Sequence, residues 1–197
     1  MKKNKILLTE GYRSIAIIFA VSIILSLFIS DFLGNIGFIV GIFMLYVFRD
    51  TYRHIFTNTQ SVLAPIDSVV TAIDTVNGKH KIYCKVGLLN NHVLRAPIDG
   101  EVKVKTHRRG LNLNINSYKA SLYNEQIVLK FDDIKLKLIS GLCNMKMKYI
   151  KEASVSQGDK ISVFLDGMVV ITVPKSEKLL ITIGDKLTSG QTILYKK

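Results

Sequence analysis

The sequence predicts a mainly β protein, with an N-terminal hydrophobic helical hairpin followed by an antiparallel β-sandwich or barrel-like domain with pseudo-repeated turns. Residues 14–48 are mostly apolar, whereas the chain beyond residue 60 alternates apolar and polar residues in short, β-branched segments. Four regions follow: a basic N-terminus (1–13), a membrane-anchoring helical hairpin (14–48), a polar connector (49–60) and a β domain (61–197).

The hairpin consists of two apolar runs, "SIAIIFAVSIILSLFIS" and "IGFIVGIFMLYVF", joined near Asp31, Gly34 and Asn35. Each run is shorter than the roughly 20 residues that cross a bilayer comfortably, so a transmembrane hairpin and a re-entrant wedge in one leaflet both stay open. A cleaved signal peptide is a rival interpretation, but the second apolar run and the absence of a small-residue cleavage site argue against it. Two buried core helices are disfavoured, because nothing later in the sequence looks able to cover them.

Basic residues flank the hairpin on both sides and predict its orientation. They are Lys2, Lys3, Lys5 and Arg13 before it, and Arg49, Arg53 and His54 after it. Because the cytoplasmic flanks of membrane segments are rich in Lys and Arg, both ends should lie in the cytoplasm. The sequence therefore predicts a protein of the inner (cytoplasmic) membrane with its soluble domain on the cytoplasmic face.

The formal net charge is +12. The lysines are scattered singly, without a basic helix, a zinc motif or an aromatic ribonucleoprotein signature, so no nucleic-acid partner is predicted. Attraction to an anionic membrane surface is the favoured explanation, and a role in solubility alone is the alternative. The two cysteines, Cys84 and Cys143, lack metal-binding spacing; they predict inert thiols in a reducing compartment and no metal site.

The β domain contains two internal echoes. "APIDSVV" at Ala64 returns as "APIDGEV" at Ala96, and "SQGDKIS" at Ser156 returns as "TIGDKLTSGQTIL" at Thr182. A Pro followed by Asp and a small residue favours a tight turn into a strand, so the echoes predict pseudo-repeated halves. The only helical segment expected here is a short turn within "INSYKASLYNEQ".

The string "MKM" at Met145 is similar to the modified-lysine site of biotin or lipoyl carrier domains. Those domains place a full pair of strands between the lysine and the final Gly-Asp turn, whereas only "KYIKEASVSQ" separates Met147 from Gly158 here. Lys146 is therefore interpreted as an ordinary surface lysine in that comparison.

A larger set of segments, in order and with nearly constant spacing over almost the whole chain, resembles the short, membrane-anchored branch of the phosphatidylserine decarboxylases. The segments are "EGYRSIAIIFAVSIILSLFI", "GFIVGIFMLYVFRD", "APIDSVV", "LNNHVLRAPIDGEV", "YKASLYNEQIVL", "ISGL", "GDKISVFLDGMVVITVP" and "GDKLTSGQTIL". The resemblance implies a proenzyme that cuts itself between Gly and Ser and converts the serine to a pyruvoyl group. That group forms a Schiff base with phosphatidylserine and accepts electrons as carbon dioxide leaves, giving phosphatidylethanolamine.

The resemblance assigns roles to several residues. The family's "SPADG" is "APIDS" here, so Asp67 is kept as the carboxylate that supports the base. The family's "VHVNRAP" is "NHVLRAP" here, so His92 is kept as general base in self-cleavage, in decarboxylation or in both. Arg95 and Lys146 are implied substrate-binding cations, although the family's "GLIARR" has become "GLCNMK" and the second arginine is now Lys146.

The cleavage site is the main departure from the family. The family's "FGSRVDVYLP" reads "LDGMVVITVP" here, so Gly167 is kept and Met168 occupies the serine position. Self-cleavage needs a β-heteroatom that attacks the glycine carbonyl and later leaves, and a thioether can do neither. No glycine in the chain is followed by Ser, Thr or Cys. We therefore expect defective self-processing and no pyruvoyl group here.

Three functions stay open at this point. The first is a decarboxylase homologue in phospholipid synthesis that has lost self-processing and whose pocket still meets phosphatidylserine or another phospholipid. The second is an active phosphatidylserine decarboxylase with an atypical processing route. The third is a non-catalytic lipid-binding or regulatory subunit, as a homo-oligomer or paired with an active homologue.

Overall fold

The structure is a computed structural model of the 197-residue chain. It describes residues 8–9, 11–55, 60–144, 147, 152–175 and 178–196. The chain divides into two compact units, Met1–Tyr52 and Arg53–Lys197.

The first unit is a helical hairpin of α1 (Tyr12–Phe28) and α2 (Asp31–Val47). The connection is short because Ser30 is extended, and Asp31 opens α2 with a carboxylate in its first turn, which favours a helix N-terminus. The predicted N-terminal helical hairpin is confirmed. Among the described residues, no helix is both long enough and apolar enough to cross a membrane.

Small residues line the seam between α1 and α2. A Cβ added at Gly34 would lie 2.5 Å from the Ser26 Cβ, and one at Gly37 would overlap the Ser22 side chain. The backbones therefore approach closely, as they do wherever glycine and serine line a helix interface. The large apolar side chains point away from the seam; Leu27 and Phe28 are 73% and 80% exposed.

The described residues of the second unit form twelve strands and one short helix, α3 (Ala120–Tyr123), which lies within the segment predicted to form a helical turn. The strands are β1 (Ser61–Leu63), β2 (Ser68–Val76), β3 (Lys79–Val86), β4 (Val93–Arg95), β5 (Gly100–Arg108), β6 (Gln126–Phe131), β7 (Ile134–Ser140), β8 (Glu152–Val155), β9 (Lys160–Val163), β10 (Gly167–Pro174), β11 (Lys186–Leu187) and β12 (Ile193–Lys196).

Eight strands form one antiparallel sheet in the order β11-β2-β3-β10-β7-β6-β5-β8, and β1-β12 and β4-β9 form two-stranded sheets. One face of the large sheet is apolar, because alternate residues such as Ile82, Val169 and Leu136 are fully buried. The mainly antiparallel β class is confirmed. The described pairings leave β11 and β8 as open edges, so the sandwich or barrel-like packing stays a prediction.

The two "APID" segments make matching hydrogen bonds. The Ser189 N–H donates to the Asp67 carboxylate (2.8 Å), and the Gln157 N–H donates to the Asp99 carboxylate (2.7 Å). The residues after these donors, Gly190 and Gly158, have φ of 74° and 84°, in the left-handed region that glycine tolerates best.

The bonds between the two segments are also reciprocal. The Leu63 N–H donates to the Pro97 carbonyl (3.1 Å), and the Arg95 N–H donates to the Pro65 carbonyl (2.7 Å). The two turns thus make matching backbone contacts, while the pseudo-repeated halves that the echoes suggest stay a prediction.

The two cysteines differ in exposure, and this gives a test of the fold. Cys84 is fully buried in β3, and burial raises the pKa of its thiol to about 12; Cys143 is exposed. Because the thiolate is the reactive form, we expect iodoacetamide at mildly alkaline pH to alkylate Cys143 in the native protein and Cys84 only after denaturation. Peptide mass mapping measures both, and rapid native alkylation of Cys84 would contradict this burial.

Candidate functional site

Asp67 lies in the turn between β1 and β2, where its carboxylate accepts several hydrogen bonds. The Arg53 guanidinium binds both oxygens in a bidentate ion pair, with Nη2 2.6 Å from Oδ2. The backbone N–H groups of Ser189 (2.8 Å) and Asn91 (3.4 Å) also donate to it. Both side chains of the ion pair are 14% exposed, so the carboxylate is mostly shielded from water and held in one orientation.

His92 is fully buried just before β4. Its Nε2 lies 3.0 Å from the Leu88 carbonyl oxygen, and because a carbonyl only accepts, Nε2 carries the proton of that bond. In the neutral ring this leaves the lone pair on Nδ1, the atom that would act as base. The family resemblance implies a carboxylate partner that fixes the tautomer, but in the structure the Leu88 carbonyl makes this contact.

Gly167 begins β10, and its backbone is enclosed. Its φ is 139°, and an added Cβ would overlap the Ile139 carbonyl oxygen and lie 2.8 Å from the Gly141 nitrogen. The Gly141 N–H donates to the Asp166 carbonyl (2.8 Å), which ties the "ISGL" segment to the residue before Gly167. Only glycine fits this position without movement of the neighbouring strand.

Met168 lies within the ladder rather than in a loop. It is paired with Lys85 of β3 on one side and with Ile139 of β7 on the other. Since directly paired residues share a face, the Met168 side chain lies on the sheet face opposite the core residue Val169. Ser140, the β7 partner of Gly167, directs its hydroxyl to the Leu111 carbonyl (3.3 Å).

These predicted site residues lie in one neighbourhood of the β unit. Asn91 contacts the Asp67 carboxylate, and the next residue, His92, accepts the Phe164 N–H at its carbonyl (2.9 Å), three residues before Gly167. Arg95 is placed differently: it is 6% exposed and its Nη1 donates to the Gly158 carbonyl (3.0 Å), a contact that holds a turn. Lys146 lies outside the described residues, so its predicted role stays a prediction.

The partner of Asp67 is not evident from the sequence. Arg53 is recognisable there only as part of the basic flank of the hairpin, because fourteen residues separate it from Asp67 and no motif joins them. The available signal was indirect: a carboxylate held in a buried turn needs a cation or several N–H donors.

A pyruvoyl group does not fit the residues at this site. Its precursor is a serine after Gly167, and the residue there is Met168, whose backbone is paired to strands on both sides. The arrangement supplies a held carboxylate and an imidazole with a defined tautomer, and the residue after Gly167 carries a thioether in place of a hydroxyl.

Replacing Gly167 tests the close approach at the start of β10. We expect Gly167→Ala to lower the free energy of unfolding by about 3 kcal/mol or more, through the left-handed φ together with the clash on Ile139. Gly184→Ala is the matched control, because Gly184 has φ of 97° with open space around it and should cost about 1 kcal/mol. Equal costs in urea unfolding would contradict the close approach.

Removing Arg53 tests the ion pair. We expect Arg53→Ala to cost about 2 kcal/mol of unfolding free energy, because it leaves the shielded Asp67 carboxylate without its cation. Lys103→Ala removes the exposed contacts to Glu101 and Glu152 and should cost much less, because water screens exposed ion pairs. A negligible effect of Arg53→Ala in the same denaturation series would show that the ion pair does not stabilise the turn.

Comparison with known proteins matches residues 40–195 to the family described as phosphatidylserine decarboxylase. The chain is similar to the phosphatidylserine decarboxylase proenzymes of Pelagibacter ubique (28% identical, covering 96% of this chain and 95% of that protein) and Aromatoleum aromaticum (29% identical, 97% and 95%). It is also similar to the proenzyme of a Wolbachia from Brugia malayi (30% identical, 94% and 88%). No solved structure matches. The family match spans most of the chain, and the protein therefore belongs to the phosphatidylserine decarboxylase family.

Proposed function

We propose that this protein is a phosphatidylserine decarboxylase homologue that stays uncut at Gly167–Met168 and forms no pyruvoyl group. It is held at the membrane and contacts phospholipid without decarboxylating it. The observation that carries the proposal is Met168 at the serine position. The thioether has no proton to give up, cannot form an ester with the Gly167 carbonyl, and cannot leave by elimination.

The surroundings of Met168 support the same conclusion. β10 is paired with both neighbours from its first residue, and Met168 itself has a partner on each side. The peptide bond between Gly167 and Met168 is thus held inside a sheet by contacts that favour an intact chain.

The presence of Asp67 and His92 is compatible with a chain that does no chemistry. Asp67 accepts an N–H bond that closes its turn, as the exposed Asp99 does in the matching turn. The backbone carbonyl of His92 accepts the Phe164 N–H, and the imidazole ring of His92 donates to the Leu88 carbonyl. Both residues contribute to the fold, so their presence needs no catalytic explanation.

The proposal includes the membrane. The hairpin exposes large apolar side chains, among them Leu27, Phe28 and Phe32, which are 73%, 80% and 72% exposed. An apolar environment would remove this surface from water. We propose that the hairpin holds the protein at the inner membrane, with the β unit on the cytoplasmic face and in contact with phosphatidylserine or another phospholipid.

The alternative is an active decarboxylase with an atypical processing route. The observation that favours it is the coverage of the match, since relatives named as proenzymes align with nearly the full length of this chain. It requires a nucleophile other than residue 168 and a carbonyl cofactor made by another route.

Intact mass separates the two functions. We expect the purified, detergent-solubilised chain to give a single species at about 22.1 kDa, no product with a carbonyl-reactive hydrazide, and no phosphatidylethanolamine from phosphatidylserine vesicles. Met168→Leu is the matched control and should behave identically, because leucine is as inert as methionine at this position.

Two fragments, with the smaller one beginning at Met168 and blocked at its N-terminus, would overturn the proposal. Phosphatidylethanolamine formation by the uncut chain would do the same, and the active alternative would then be correct.

A further inference from the structure

The face of the large sheet opposite the core carries a row of paired residues that crosses seven strands. In the spatial order β2, β3, β10, β7, β6, β5, β8, the row consists of Asp74, Lys81, Thr172, Lys135, Lys130, Lys103 and Glu152. Four of its seven members are lysines, and the two carboxylates stand only at the ends. With strands about 4.8 Å apart, the lysines extend over roughly 19 Å.

Further lysines surround this row on the same side of the sheet. We define the lysine face as the following six residues: Lys79, Lys81, Lys105, Lys130, Lys135 and Lys137. Lys79 and Lys137 are paired with Pro174 and Val170, which share the face of the row, and Lys105 lies at the irregularity of β5 beside it.

The lysine face has little negative charge to balance it. Lys103, at its border, forms salt bridges with Glu101 (3.0 Å) and Glu152 (2.8 Å). Within the described part of the chain, none of the six lysines of the face forms a salt bridge. Asp74, the other carboxylate of the row, stands at the opposite end and is paired with Lys81 in the ladder.

Mutual repulsion is visible in the lysines at its centre. The pKa of Lys135 is lowered chiefly by the charges of Lys105 and Lys79, and the pKa of Lys137 is lowered by burial and then by Arg108 and Lys81. Like charges directly opposite on a sheet, such as Lys130 and Lys135, destabilise it. The fold thus holds cations together at a cost that an external anionic surface would offset.

We propose that the lysine face binds the anionic headgroups of a phospholipid membrane. The inference deepens the proposed function and rests on its membrane-held protein, because a hairpin with exposed apolar side chains keeps the β unit near a bilayer. Lysine ammonium groups on flexible stems suit a surface of mobile phosphates, and juxtamembrane lysines attract anionic lipid.

A nucleic acid is the less favoured anion for this surface. Recognition of single strands uses aromatic side chains on which bases stack. Tyr83, the aromatic residue on this side of the sheet, is half-buried, and the row itself contains no aromatic side chain.

Vesicle flotation of the full-length protein tests the proposal. The affinity for neutral vesicles of phosphatidylcholine alone measures the contribution of the hairpin. The gain in affinity for vesicles with an equal amount of anionic phosphatidylglycerol measures the electrostatic contribution. We expect the anionic vesicles to bind the wild type at least tenfold more tightly, with the gain lost in high salt. The triple variant Lys81→Gln/Lys130→Gln/Lys135→Gln should lose most of this gain, at roughly fivefold per lysine.

The matched control is Lys119→Gln/Lys178→Gln/Lys196→Gln, which removes the same charge from exposed lysines outside the face and should keep most of the gain. Equal losses in the two triple variants, or no preference of the wild type for anionic vesicles, would overturn the proposal. So would tighter binding of the wild type to duplex DNA than to anionic vesicles. If the triple variant of the lysine face does not fold, Lys79→Gln/Lys105→Gln removes two exposed lysines of the same face and should weaken binding roughly fivefold per lysine. A wild-type gain that survives high salt would also overturn the proposal.

The two proposals fail separately. Cleavage at Met168 in the mass measurement would reject the proposed function and leave the vesicle result unchanged. Loss of the anionic preference in the control variant, with an uncut chain, would reject the lysine face alone.

Discussion

The double pairing of β10 is the constraint on which the rest of the β unit depends. β10 lies between β3 and β7, so it joins the group β11, β2 and β3 to the group β7, β6, β5 and β8. It enters the sheet at Gly167, where the backbone passes so close to Ile139 that no other residue fits unchanged.

The matched turns at Asp67 and Asp99 separate the architectural part of the site from the chemical part. Each aspartate accepts one backbone N–H from the segment that precedes a left-handed glycine. Asp67 alone also binds a guanidinium, because Arg53 reaches it from the start of the unit. Asp67 therefore makes the backbone hydrogen bond that both turns share, and in addition it binds Arg53. The shared hydrogen bond stabilises the turn whether or not the site is catalytic, so an aspartate is useful there in either case.

The sequence predicts those parts of the fold whose cause is local. Long apolar runs mark the two helices, and the alternation of residues in segments such as "KHKIYCKVGLL" marks the strands. Strand order, by contrast, depends on pairings between distant segments that no single run encodes. The Arg53–Asp67 pair and the row from Asp74 to Glu152 are of this kind, since each exists only once separate segments are brought side by side. The lysines are scattered in the sequence, and only the register of the paired strands brings them side by side.

The site follows the same division. Asp67, His92 and Gly167 could be named from sequence because motifs identify them, whereas the role of Leu88 in fixing the imidazole tautomer depends on a backbone contact. Arg95 was named from the same motif as His92, yet its guanidinium donates to the Gly158 carbonyl. A motif thus identifies residues and leaves open what each of them contacts.

The matched turns also impose an order on assembly. The Asp67 turn is closed by Ser189, 122 residues later, and the backbone near Ser61 is bonded by Gln157, 96 residues later. The helices of the first unit need only local contacts and can form while the chain is being made, but these turns cannot close until their distant partners have been synthesised. The Asp67 turn therefore closes only after residue 189 has been made, whereas the hairpin of β2 and β3 can pair well before then.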